Sequence, residues 1–213
     1  MTLPRRALVL IDVQQQYFDG VLEIHFPPHA ESLPRIVRAI EAAESAGIPI
    51  VAVRHSSGGG APMFDPESPE FLLHPEIEAR ATDEWQRITK SYSSIFAETG
   101  LNEWLRERGI DTVTLVGYMT NNCVLATAAD AEFVGFGVEV LSDATGAINL
   151  ANAAGSATAE TVHEVLMTLL NSSWASVADT GAWVAAVAAG ESLVGSDLAG
   201  SAAAGAVAAG ERP

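Results

Sequence analysis

Short, almost unbroken apolar runs alternate with stretches whose apolar residues recur every three or four positions, and that alternation restricts the chain to a sheet covered by helices on both faces. The runs are Ala7 to Val13, Ile48 to Arg54, Thr112 to Gly117, Val138 to Asp143 and Trp174 to Ala178. Each is rich in Val, Ile and Leu with little polar alternation, as strands buried on both sides are. Between them Leu33, Ile36, Val37 and Ile40 make a helical stripe closed by Gly47. Leu101, Trp104 and Leu105 make a second closed by Gly109, and Val162, Val165, Leu166, Leu169 and Leu170 a third. Trp85 to Lys90 reads as a short sixth strand. Strand and helix in alternation imply parallel pairing, right-handed crossovers and a ligand site beyond the carboxyl ends of the strands.

The 213 residues suffice for one well-filled core. We place a single domain over residues 1–181 and an extension over 182–213. The extension holds 12 alanines and 5 glycines; a helix is expected from Ala182 to about Ala189, and beyond it these side chains bury too little area to fix a fold. A net charge of −16 repels phosphates and anionic headgroups, which argues against nucleic acid or membrane partners. No run of 18 apolar residues and no signal-type segment is visible, so the expected location is cytoplasmic. Residues 56–75, with three consecutive glycines and four prolines, read as a long loop suited to covering a pocket.

The single cysteine, Cys123, is either an inert small hydrophobe or a working thiol. It lies in Gly117-Tyr118-Met119-Thr120-Asn121-Asn122-Cys123-Val124, where a strand turns into a helical pattern running from Val124 to Phe133. Unpaired N–H groups and the partial positive charge of a helix N-terminus favour thiolate over thiol, and Asn121 or Thr120 offers a cap. The same amides suit an oxyanion. A thiol of this kind should react with iodoacetamide well below pH 8. Asp12 closes the first strand, where a carboxylate is costly unless paired or functional, and is a better base than any of the five histidines. Lys90 follows the short sixth strand; position alone leaves a solvated lysine the default reading. His55 and His163 receive no catalytic role. Phe18 and Tyr118 are candidate pocket residues, and Arg54 is a candidate contact for a substrate carboxylate.

At these residues the chain resembles the isochorismatase-like, or cysteine, hydrolase superfamily, over roughly residues 5 to 180. The likeness rests on Leu10-Ile11-Asp12-Val13-Gln14, on Thr89-Lys90 with Phe96, on Gly117 through Val124 continuing into Ala126 to Ala131, and on Val140 to Ala144. It implies a three-layer αβα sandwich around a six-stranded parallel sheet. It assigns Asp12, Lys90 and Cys123 as a catalytic triad, the Met119 and Cys123 amides as an oxyanion hole, and a cis peptide between Tyr118 and Met119. It also implies a homo-oligomer, a dimer or larger. Nicotinamidases of the family carry an Asp-x-His pair that binds metal; Val53-Arg54-His55-Ser56 stands here, so no metal and no other cofactor is expected. Members that cleave the vinyl ether of isochorismate lack the cysteine. Cys123 therefore points to hydrolysis of the C–N bond of a small amide, ureido or lactam substrate through a thioester. The alternatives are a vinyl ether hydrolase and a non-catalytic binding protein on the same scaffold.

Overall fold

Every residue of the first strand, β1 (Arg6–Ile11), is buried, and its side chains feed two cores. Leu8 and Leu10 pack with Ile36, Ile40 and Trp183 on one face, while Ala7, Val9 and Ile11 pack with Leu105, Ala128 and Leu170 on the other. A strand with apolar layers on both sides has no need of polar alternation, which is why these runs read as continuous.

The computed structural model describes residues 3–210. After β1 come α1 (His29–Ser45), β2 (Ile50–His55), the single turn α2 (Pro75–Glu78), β3 (Gln86–Lys90), α3 (Leu101–Glu107), β4 (Thr112–Tyr118), α4 (Leu125–Val134) and β5 (Gly137–Gly146). A hairpin of β6 (Leu150–Asn152) and β7 (Gly155–Ala157) leads to α5 (Ala159–Ser173), β8 (Ser176–Ala178), α6 (Thr180–Ala189) and α7 (Leu198–Ala208). The main sheet is six-stranded in the order β3-β2-β1-β4-β5-β8, and every pairing in it is parallel. The protein is thus an α/β sandwich, as expected, and Trp85 to Lys90 does contribute its sixth strand. The chain leaves β1 toward β2 on one side and returns as β4 on the other, so the carboxyl end of β1 is a topological switch point.

Three details differ from the sequence reading. On α5 the buried residues are Ala159, His163, Met167, Leu170 and Ser172, whereas Val165 and Leu169 are exposed; the apolar stripe sits partly on the solvent side because polar His163 takes a core position. Beyond Ala189, where no fixed fold was expected, α7 forms, capped by Asp197 accepting from the Gly200 amide. None of its residues is buried, so its alanines satisfy helix propensity without adding core. The boundary drawn at residue 181 falls inside α6, whose Trp183 is fully buried.

Trp183 closes a polar cluster at the amino end of the sheet. Arg6 Nε and Nη2 donate to Glu139 at 2.8 to 3.1 Å. Thr114 Oγ1 at 2.8 Å and Trp183 Nε1 at 2.9 Å donate to the same carboxylate, and Arg6 Nη2 reaches the Glu191 carbonyl at 2.7 Å. Among the described residues no helix is long and apolar enough to cross a membrane.

Candidate active site

Asp12 follows the last residue of β1 with φ +48°, and its amide donates to the Val53 carbonyl at 3.1 Å. That left-handed backbone ends the strand two residues earlier than the apolar run suggests and turns the carboxylate toward the sheet end; Asp tolerates it better than a branched residue would. Gln14, fully buried, then clamps the neighbouring elements. Its side chain donates to the His55 and Phe71 carbonyls and accepts from the His55 amide.

Lys90 ends β3, in register with His55 at the end of β2. From there its side chain passes the end of β2 to Asp12, and Nζ lies 2.7 Å from Asp12 Oδ2 with both side chains fully buried. The same ammonium lies 3.2 Å from Cys123 Sγ and 3.3 Å from His55 Nδ1. Apart from the ion pair, neither Asp12 oxygen has a hydrogen-bond partner among the described residues. Asp12, Lys90 and Cys123 therefore meet, as the resemblance implies, from three separate strand ends.

Cys123 is held by the turn after β4. Gly117, with φ +101°, runs so close to β1 that a Cβ would collide with the Ile11 carbonyl, so only glycine fits there. The Tyr118–Met119 peptide is cis. Residues Thr120–Val124 form one wide π-type turn that leads into α4. The Asn122 and Val124 amides close it on the Met119 carbonyl at 3.1 and 3.3 Å; the Met119 and Cys123 amides make neither bond. Thr120 and Asn121 do not cap this helix start. Instead the Thr120 hydroxyl pairs with His163 Nδ1 at 3.0 Å, and Ser93 anchors Asn122 at 2.8 Å.

The packed site opposes the acidic thiol that the helix start alone suggests. Burial pushes Cys123 up to about 12, the Asp12 charge pushes the same way, and Lys90 opposes them. Burial and Asp12 thus favour the protonated thiol, and the Lys90 ammonium favours the thiolate. The dipole of one short turn does not offset the desolvation of a group that keeps 2% of its surface exposed.

The loop over residues 56–75 does cover this end of the sheet. Phe64, held by its amide on Gln16 and its carbonyl on the Ser57 amide, packs edge-on against His55 at 5.0 Å and tilted against Tyr17 at 5.5 Å. Phe18 and Tyr118 meet edge-on at 5.8 Å beside Tyr17, and the Tyr118 hydroxyl pairs with Ser32 at 2.8 Å. Burial raises Tyr17 well above the usual phenol range, and the Asp12 charge pushes it further, placing it next to the cluster. Arg54 is not brought in. Neighbours on a strand leave opposite faces, so while His55 reaches Lys90 the Arg54 guanidinium lies over the Phe71 ring at 4.7 Å. Among the described residues no three His, Cys, Asp or Glu side chains converge as a metal site needs.

Sequence reasoning passed over two signals. Lys90 is the chain's one lysine; the other ten of its 11 basic residues are arginines. A lysine kept singly in such a chain, ending an apolar run, stands out without any structure. His55 was set aside although its pairing with Lys90 follows once two adjacent parallel strands end level.

The family description of the isochorismatase domain matches residues 6–181. The chain belongs to the isochorismatase family. A crystal structure of a Burkholderia xenovorans LB400 protein superposes with a TM-score of 0.93 at 43% identity, covering 98% of this chain and 100% of that one. The secreted isochorismatase effector of Verticillium dahliae is 34% identical over 66% of this chain and 72% of its own. The nicotinamidase of Escherichia coli is 26% identical over 70% of this chain and 86% of its own. The protein is accordingly an isochorismatase-family hydrolase.

Proposed function

We propose that this isochorismatase-family hydrolase cleaves the C–N bond of a small amide, ureido or lactam substrate with Cys123 as nucleophile. The observation that carries the reading is the buried meeting of thiol, carboxylate and ammonium, with the carboxylate otherwise unpartnered. Asp12 takes the thiol proton as Sγ attacks the substrate carbonyl carbon. The oxygen of that carbonyl, now negative, is received by the Met119 and Cys123 amides. When the intermediate collapses, Asp12 returns the proton to the departing nitrogen, leaving a thioester on Cys123. Asp12 then takes a proton from water, hydroxide adds to the thioester, and the acid leaves as the proton returns to sulfur. Lys90 balances charge throughout. A protonated resting thiol suits this sequence, because deprotonation waits for substrate. Phe18 and Tyr118 are the proposed pocket wall, Tyr17 and Phe64 join them, and Arg54 has no part.

The test is a screen of small primary amides, ureido acids and lactams for released ammonia or amine. A substrate should be turned over by wild type at least roughly a thousandfold faster than by Cys123→Ala. A Cys123→Ala protein as active as wild type contradicts the proposal.

A further inference from the structure

Three acceptors surround the Lys90 ammonium, which has three protons. Asp12 Oδ2 at 2.7 Å and Cys123 Sγ at 3.2 Å account for two, and the third direction leads to His55 Nδ1 at 3.3 Å. The imidazole is itself placed with care. Its backbone amide and carbonyl are both held by Gln14, and its ring edge meets Phe64. An ammonium can only donate, so at 3.3 Å from it Nδ1 must be the accepting nitrogen, with its lone pair facing Lys90 and the neutral ring's proton on Nε2.

We propose that His55 is a positioning residue for the triad: neutral Nδ1 accepts the third Lys90 proton and so aims the other two at Asp12 and Cys123, and protonation of His55 breaks that arrangement. A protonated Nδ1 has no lone pair to offer and sets two cations in contact. The charged groups acting on the ring are Lys90 from β3 and Asp12 from the end of β1. Burial and then Lys90 hold His55 below the ordinary histidine value, while the Asp12 charge opposes them. His55 is therefore neutral at physiological pH, and the arrangement fails only in more acid solution.

Because Lys90 is the one lysine, protein grown on 15N-lysine gives a single side-chain ammonium resonance. In wild type that resonance should step with a midpoint below about 6.5, the usual histidine value. His55→Asn keeps an acceptor near Nδ1 but does not titrate; it should hold the neutral-pH resonance near the wild-type position and lose the step. His55→Leu should lose the step and move the resonance at neutral pH. A step that persists in His55→Asn, a wild type with no step, or a His55→Leu resonance unmoved at neutral pH each overturns the proposal. This arm needs no turnover, so it is separable from the amide reading. A kinetic arm rests on that reading: with an amide found by the screen, His55→Leu should lower kcat roughly tenfold or more with KM little changed, and His55→Asn should restore most of it. A rise in KM alone would make His55 a substrate contact and overturn the role.

Discussion

The two ends of the sheet each bury an ion pair, and they are built to opposite standards. At the amino end Glu139 takes donors from Arg6, Thr114 and Trp183, so its charge is satisfied in place. At the carboxyl end Asp12 has the Lys90 ammonium at 2.7 Å and no set of fixed donors, with the Cys123 sulfur beside that ammonium. A satisfied buried network fixes structure, while an unsatisfied carboxylate keeps a lone pair free for a proton in transit. On the proposed mechanism, the chain separates holding its shape from doing its chemistry by the length of one strand.

The largest expected effect at the structural end is on stability. Glu139→Gln leaves Arg6 buried without a counter-charge and should cost about 3–5 kcal/mol in urea unfolding; activity per folded molecule should hold within about twofold, given the distance from the reacting groups. A comparable loss of turnover with little loss of stability would erase the distinction between the ends. Trp183→Phe removes the indole donor and should cost about 1–2 kcal/mol. That figure also checks whether α6 belongs to the core, since an independent extension would lose nothing. A graded effect comes with acid. Burial holds His163, the partner of Thr120 in the turn that carries Cys123, down to about 4. The unfolded chain then binds the proton first, so its contribution is complete above about pH 6.5 and fades as pH falls toward 4, by at most about 1.4 kcal/mol per unit. Urea midpoints at the two ends of that window should converge in His163→Gln relative to wild type.

Much of this was legible in the residues. Continuous apolar runs such as Ala7 to Val13 reveal strands because burial on both faces demands them, and the strand-to-helix turn at Cys123 is visible in the Gly117 to Val124 segment. What escaped depended on neighbours in space. Asp12 ends its strand early because of a left-handed backbone that no apolar pattern encodes. The α5 stripe was misread because His163 is paired with Thr120 and therefore enters the core. The helix start points to an acidic thiol, whereas burial, a property of the packed fold, pushes the other way. Arg54 and His55 were separable from sequence alone: two adjacent residues on one strand do not face the same site.

The most direct test of the central claim is rapid acid quench of wild type turning over an amide found by the screen, followed by mass spectrometry of the peptide containing Cys123. The proposed route gives that peptide a mass increase equal to the acyl group, sensitive to hydroxylamine and absent from Cys123→Ala. Sustained turnover with an unmodified Cys123 peptide, or an acyl group on any other residue, would contradict it.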